Sequence, residues 1–141
     1  MPTMTTTLGD LTARHGFDVL EHLEAGAEVP ILEGLQAQGD LFIIPVKGTK
    51  PRMRDPKPIP AAGLAAIEAA NGGHEHRLFA TMPGTATFAF TEAPGGDIGV
   101  LECTEPVYSL HVEHGATGIA RGLYVLRRQR EQADEERLVA D

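Results

Sequence analysis

The chain has 141 residues, enough for one domain with a real core, and its 42% apolar content argues against wholesale disorder. Twelve Lys and Arg stand against 20 Asp and Glu, a formal charge of −8 that argues against a general nucleic-acid binder, since phosphate binding needs clustered cations, but leaves room for a local basic patch. Five Phe, two Tyr and no Trp leave few rings for base stacking, and the single Cys103 excludes an internal disulfide.

Met1 to Leu8 is Thr-rich and is expected to fray, with no basic start and no apolar run of the kind that opens a secretory signal. The longest apolar run, Leu41 to Val46, is too short to cross a bilayer, so the expectation is a soluble cytoplasmic protein, or a virion component if phage-encoded. Leu11, Phe17, Leu20 and Leu23 make a partial helical stripe that Gly16 interrupts and Gly26 closes. The spacing predicts a short helix over Asp18–Ala25 in an N-terminal extension, residues 1–28. His15 falls in a turn before Gly16, and His22, between Glu21 and Glu24, reads as a solvated surface residue.

From Val29 the pattern turns to β, and residues 29–141 read as one β domain. Val29, Ile31 and Leu32 suggest a short strand, and Gln38-Gly39-Asp40 a turn before the strand Leu41–Val46. Pro45 cannot donate to a ladder, which places it at an edge or a strand end. Residues 47–60 hold Pro51, Pro56, Pro58 and Pro60, with Lys47, Lys50, Arg52, Arg54 and Lys57 against Asp55 alone. Such a stretch is an extended, solvated loop, or a flexible basic arm for an acidic partner or nucleic acid.

Ala61–Ala70 is helix-prone, with Asn71-Gly72-Gly73 as its stop. Arg77–Ala80, Thr85–Thr91, Ile98–Thr104, Val107–Val112 and Gly122–Leu126 read as strands, with Pro83-Gly84 and Pro94-Gly95-Gly96-Asp97 as turns and Ile119 following a glycine turn. The fold class is therefore mainly β (α+β): a small antiparallel β-sandwich or barrel with one or two short helices. Residues 127–141 form a charged tail. In it Arg127, Arg128 and Arg130 are candidates for binding an acidic partner or phosphate, with Glu131, Asp134, Glu135 and Glu136 as local countercharges.

Four of the six histidines fall in two pairs, His74/His76 and His111/His114, 35 residues apart between His76 and His111. On a strand, residues i and i+2 share a face, so His74 and His76 can project together. His111 and Glu113 share a face on a regular strand, and only a bend before Gly115 brings His114 round. His74, His76 and His111, completed by Glu113 or His114, form a candidate metal set, with zinc the first expectation and an open position able to activate water. The alternatives are a structural polar cluster and exposed histidines without a role. Ser109, the one serine, lies on a predicted strand and lacks a nucleophile-elbow context. No phosphate-binding loop is present, and Cys103 reads as a small buried hydrophobe.

His74 and His76 with a later His111 or His114 resemble the cupins, metal-binding β-barrels. The Glu expected four to six residues after His76 is replaced by Ala80, Thr81 and Met82, and the Pro-x-Gly before the late histidine is missing. The chain more closely resembles a group of small, functionally uncharacterised bacterial and phage proteins. The shared features are Gly39-Asp40, Gly73 to His76, His111 to His114, Gly122 to Leu126, Arg127 to Glu131 and the terminal Leu138 to Asp141. That resemblance implies no activity. Two readings result: a small β domain with a histidine metal site, or a non-enzymatic structural or interaction module, such as a phage assembly or decoration protein, with an unknown partner or itself.

Overall fold

The computed structural model describes residues 6–20, 23–68, 74–91 and 97–129. Among them the chain forms one helix and eleven strands, arranged as two packed sheets, so the expected mainly-β sandwich is the observed fold. Helix α1 spans Leu8–His15, earlier than the stripe suggested. Its start is fixed by a capping box: the Thr7 hydroxyl accepts from the Asp10 amide and the Asp10 carboxylate accepts from the Thr7 amide. Gly16, at φ 62°, ends it in the left-handed conformation. The expected helix over Asp18–Ala25 is absent from its described part: Asp18–Leu20 and Leu23–Ala25 are irregular, while residues 21 and 22, His22 included, lie outside the described residues. Capping chemistry outweighed a stripe that Gly16 had already cut.

The strands are β1 (Ile31–Leu32), β2 (Gln36–Gln38), β3 (Leu41–Pro45), β4 (Lys57–Pro58), β5 (Leu64–Ile67) and β6 (His76–Ala80). They continue with β7 (Ala86–Phe90), β8 (Asp97–Cys103), β9 (Val107–His111), β10 (Gly115–Ile119) and β11 (Gly122–Arg128). One sheet runs β1-β10-β9-β6-β5 and the other β2-β3-β11-β8-β7-β4. Every pairing among these strands is antiparallel except β1 with β10. Pro45 is the last residue of β3 and lies beyond the stretch paired with β2, so its missing donor costs no ladder bond there.

Two apolar layers result. Leu41, Ile43, Leu78, Phe88, Leu101, Val107, Ile119, Tyr124 and Leu126 fill the space between the sheets. Leu8 and Leu11 of α1, with Val29, pack on Phe79, Tyr108 and Leu110 across the outer face of the first sheet. Alternation along β9 sends Val107 inward and Tyr108 and Leu110 outward, so all five of its residues are buried. The same alternation places Ser109 and His111 on the inner face with Val107.

Three further expectations are corrected. Residues 61–68 are not helical: Ala61 and Ala62 are in a turn and β5 follows, pairing with β6, and residues 69–73 lie outside the described set. Alanine is a strong helix former, but propensity yields to tertiary context, and burial of Ala66 and Ile67 against the core decides the segment. β10 is a full strand where only Ile119 was marked. Its glycines hid it, and Gly118 is required, because a Cβ there would sit 2.5 Å from the Pro30 carbonyl oxygen. Finally, Arg127 and Arg128 end β11 rather than opening a tail, and residues 130–141 lie outside the described set.

Candidate functional site: a histidine corner between the sheets

The β2–β3 turn of one sheet meets the β9–β10 hairpin and the start of β6 in the other. The four paired histidines gather at this corner. His111 ends β9, and the turn at residues 112–114 swings His114 back, so the bend required for His114 is present. The His111 ring lies 4.3 Å from that of His76 and 4.6 Å from that of His114, both tilted, and 5.9 Å from that of His74, edge-on. His74 precedes β6 instead of sharing its face with His76, and its Nε2 pairs with Glu113 Oε1 at 3.2 Å on the exposed side.

The ring nitrogens have specific partners. Gln38, buried at the end of β2, donates from Nε2 to the carbonyls of Ser109 (2.8 Å) and Gly115 (3.3 Å). Those carbonyls fix the amide's orientation, so Oε1 accepts from the Ser109 hydroxyl (2.7 Å) and faces His76 Nδ1 at 3.0 Å. Nδ1 of His76 must then carry a proton. Its Nε2 lies 3.0 Å from Asp40 Oδ1, and the other Asp40 oxygen accepts from Arg128 Nε at 3.1 Å. With 1% of its side chain exposed, His76 is held between two acceptors. A neutral ring satisfies one of them; an imidazolium satisfies both.

His111 is committed differently. Its Nδ1 accepts from the backbone amides of Glu113 (3.0 Å) and His114 (3.2 Å), capping the hairpin turn. That nitrogen is therefore unprotonated, and the neutral ring carries its hydrogen on Nε2. Gly39 completes the corner at φ 59°: a Cβ there would fall 2.8 Å from His114 Nε2.

Burial and mutual charge set the titration of these groups. Burial, reinforced by His76 and His114, pushes His111 down to about 4. His76 is also lowered, by burial first, with Asp40 opposing. For Asp40, burial acts upward but is outweighed by His76 and Arg128, so its carboxyl lies below the ordinary range.

Of the expected metal set, the rings of His74, His76 and His114 gather round that of His111, and Glu113 meets His74. Among the described residues, however, no three His, Cys, Asp or Glu side chains are placed to hold an ion. Arg127 and Arg128 each meet an acidic residue within the fold, Asp97 at 2.6 Å and Asp40 at 3.1 Å, while Arg130 lies outside the described residues. Sequence reasoning missed Gln38 and Asp40, taken only as turn residues. The signal available was Gly39-Asp40 in the resembled pattern. Ser109, set aside as a nucleophile, anchors Gln38.

The fold and this corner define a small two-sheet β-sandwich whose sheets are tied by a Gln–His–Asp network, with Gln38 and His76 buried and Asp40 at its exposed end. The chain belongs to a family described as a domain of unknown function (DUF8820), whose model matches residues 37–129. That span contains every residue of the corner and leaves out α1 and β1. No curated protein and no solved structure matches the chain. Among the described residues, no helix is long and apolar enough to cross a membrane.

Proposed function

We propose that this domain is a non-enzymatic structural or interaction module whose histidines serve its architecture. The observation that carries this reading is the commitment of the ring nitrogens: both of His76 to Gln38 and Asp40, and Nδ1 of His111 to two turn amides. A zinc ion on His111 would need a free lone pair on Nε2. Its proton would then move to Nδ1, against two N–H donors. The same side chains instead join β2 and β3 to β6, β9 and β10, elements far apart in sequence.

An interaction role is supported by edge strand β1 and the residues just after it. Ile31 and Leu32 are 45% exposed and Leu35 is 70% exposed, an apolar run beside an open sheet edge. Exposed apolar edges favour pairing with another chain.

The test is metal titration of tag-free protein beside its oligomeric state. The expected results are no thermal shift with zinc and mass that rises with concentration, an effect that Leu35→Lys removes. Stoichiometric zinc lost in His76→Ala, or a strict monomer at all concentrations, would overturn the reading.

A further inference from the structure

We infer that a cleft beside β4, β5 and β7 binds a small organic anion, a carboxylate carried on a flat apolar body. The cleft encloses about 380 Å³ and is lined by Arg54, Asp55, Lys57, Pro58, Leu64, Phe88 and Phe90. This volume falls within the range of small-molecule pockets, which combine an apolar lining with a few polar groups. It opens where β5, the edge of one sheet, faces β4 and β7 of the other.

Its floor is aromatic for a reason visible in the register. Phe88 and Phe90 lie two residues apart on β7 and therefore share the inner face. Phe88 is buried, whereas Phe90 is 53% exposed although its strand pairs on both sides. The two rings meet edge-to-face at 4.9 Å. Gly99, opposite Phe90, makes room for this pair, since a Cβ there would lie 2.6 Å from Phe88 Cζ. A large ring held at a cleft mouth is apolar surface that a ligand's body can cover.

The rim supplies the charge preference. Arg54 and Lys57 flank the mouth, with Asp55 the one acid among the lining residues. Lys57 meets Asp55 at 3.7 Å with both side chains over 70% exposed, a pair that a carboxylate ligand can displace at little cost. Residues 47–60 carry five cations against one acid in a chain of net charge −8, so the cleft borders its most cationic segment. Anions are drawn there and repelled elsewhere.

The test is a titration of the full chain with 2-naphthoate, followed by backbone and methyl NMR, with the neutral isostere 2-naphthylmethanol in parallel. Saturable shifts at Lys57, Leu64, Phe88 and Phe90 are expected, with the neutral compound binding at least about fivefold more weakly. Lys57→Glu is expected to weaken naphthoate about tenfold and leave the thermal midpoint unchanged, and Phe90→Ser to abolish the response. Shifts that fail to saturate by about 5 mM, equal affinity for the neutral isostere, or a response centred on the histidine corner would overturn the inference. The isostere comparison uses the unaltered chain, so it stands even where a variant misfolds.

Discussion

The Oε1 atom of Gln38 faces Nδ1 of His76 at 3.0 Å across the two sheets, and two backbone carbonyls prevent the amide from turning over. Gln38 thus determines which edge of the imidazole carries a proton. Replacing it with Leu takes the Gln38 partner from the Ser109 hydroxyl and from His76 Nδ1 in a buried site. Each such orphan costs about 1–3 kcal/mol, so Gln38→Leu is expected to lose roughly 3 kcal/mol or more in urea unfolding. Gln36→Leu removes a single half-buried bond to the Gly118 carbonyl and should cost about 1 kcal/mol. Equal losses for the two would show that the network adds nothing.

That network explains what the sequence could and could not disclose. Strand β3 and strands β6 to β9 were legible because they are rich in β-branched, aromatic or apolar residues and bounded by turn residues. The gathering of His111 and His114 was legible too, as a bend before Gly115. Asp40 and Gln38 were not, because a Gln-Gly-Asp triplet satisfies every rule for a turn and its side-chain partners lie 36 to 88 residues away. β10 was hidden for a related reason. Gly118 is demanded by the distant Pro30 carbonyl and Gly115 by its backbone at φ 76°, and local propensity reads glycine only as a break.

The corner makes stability depend on pH in a defined direction. His111 has a folded pKa of about 4 against an ordinary 6.5, so the unfolded chain takes up its proton first. Its contribution is complete above pH 6.5 and is lost as pH falls toward 4. It amounts to at most roughly 3 kcal/mol, partly shared with His76, which is lowered in the same direction. Urea midpoints should therefore fall from pH 7 to pH 4. In His111→Asn the amide oxygen can replace Nδ1 as acceptor for the Glu113 and His114 amides without titrating. That variant should show a shallower pH slope, and an unchanged slope would remove His111 as its source.

Gly39 and Gly48 separate backbone strain from crowding. Both have positive φ, 59° and 85°, but a Cβ on Gly48 meets nothing within 4 Å, whereas one on Gly39 falls 2.8 Å from His114. Gly48→Ala should cost about 1 kcal/mol, from the left-handed conformation alone. Gly39→Ala should cost about 1–2 kcal/mol more and shift the His114 ring resonances. Equal thermal losses would mean that His114 is free to move away.

Asp40 bonds to two cation-forming groups of unlike burial, His76 with 1% and Arg128 with 57% of the side chain exposed. Exposed ion pairs contribute about 0–1 kcal/mol, so Arg128→Ala should lower stability by less than about 1 kcal/mol. Asp40→Ala should cost about 2 kcal/mol, because it strips His76 Nε2 of its partner inside the protein. Asp40→Asn gives the sharper test. Asp40 is what opposes the effect of burial on His76, so removing its charge should push the His76 pKa lower still. Imidazole NMR across pH 3 to 8 reads this directly. A His76 titration that stays in place or moves upward in Asp40→Asn would show that the carboxylate does not govern the ring, and the proposed role of Asp40 in the corner would fall with it.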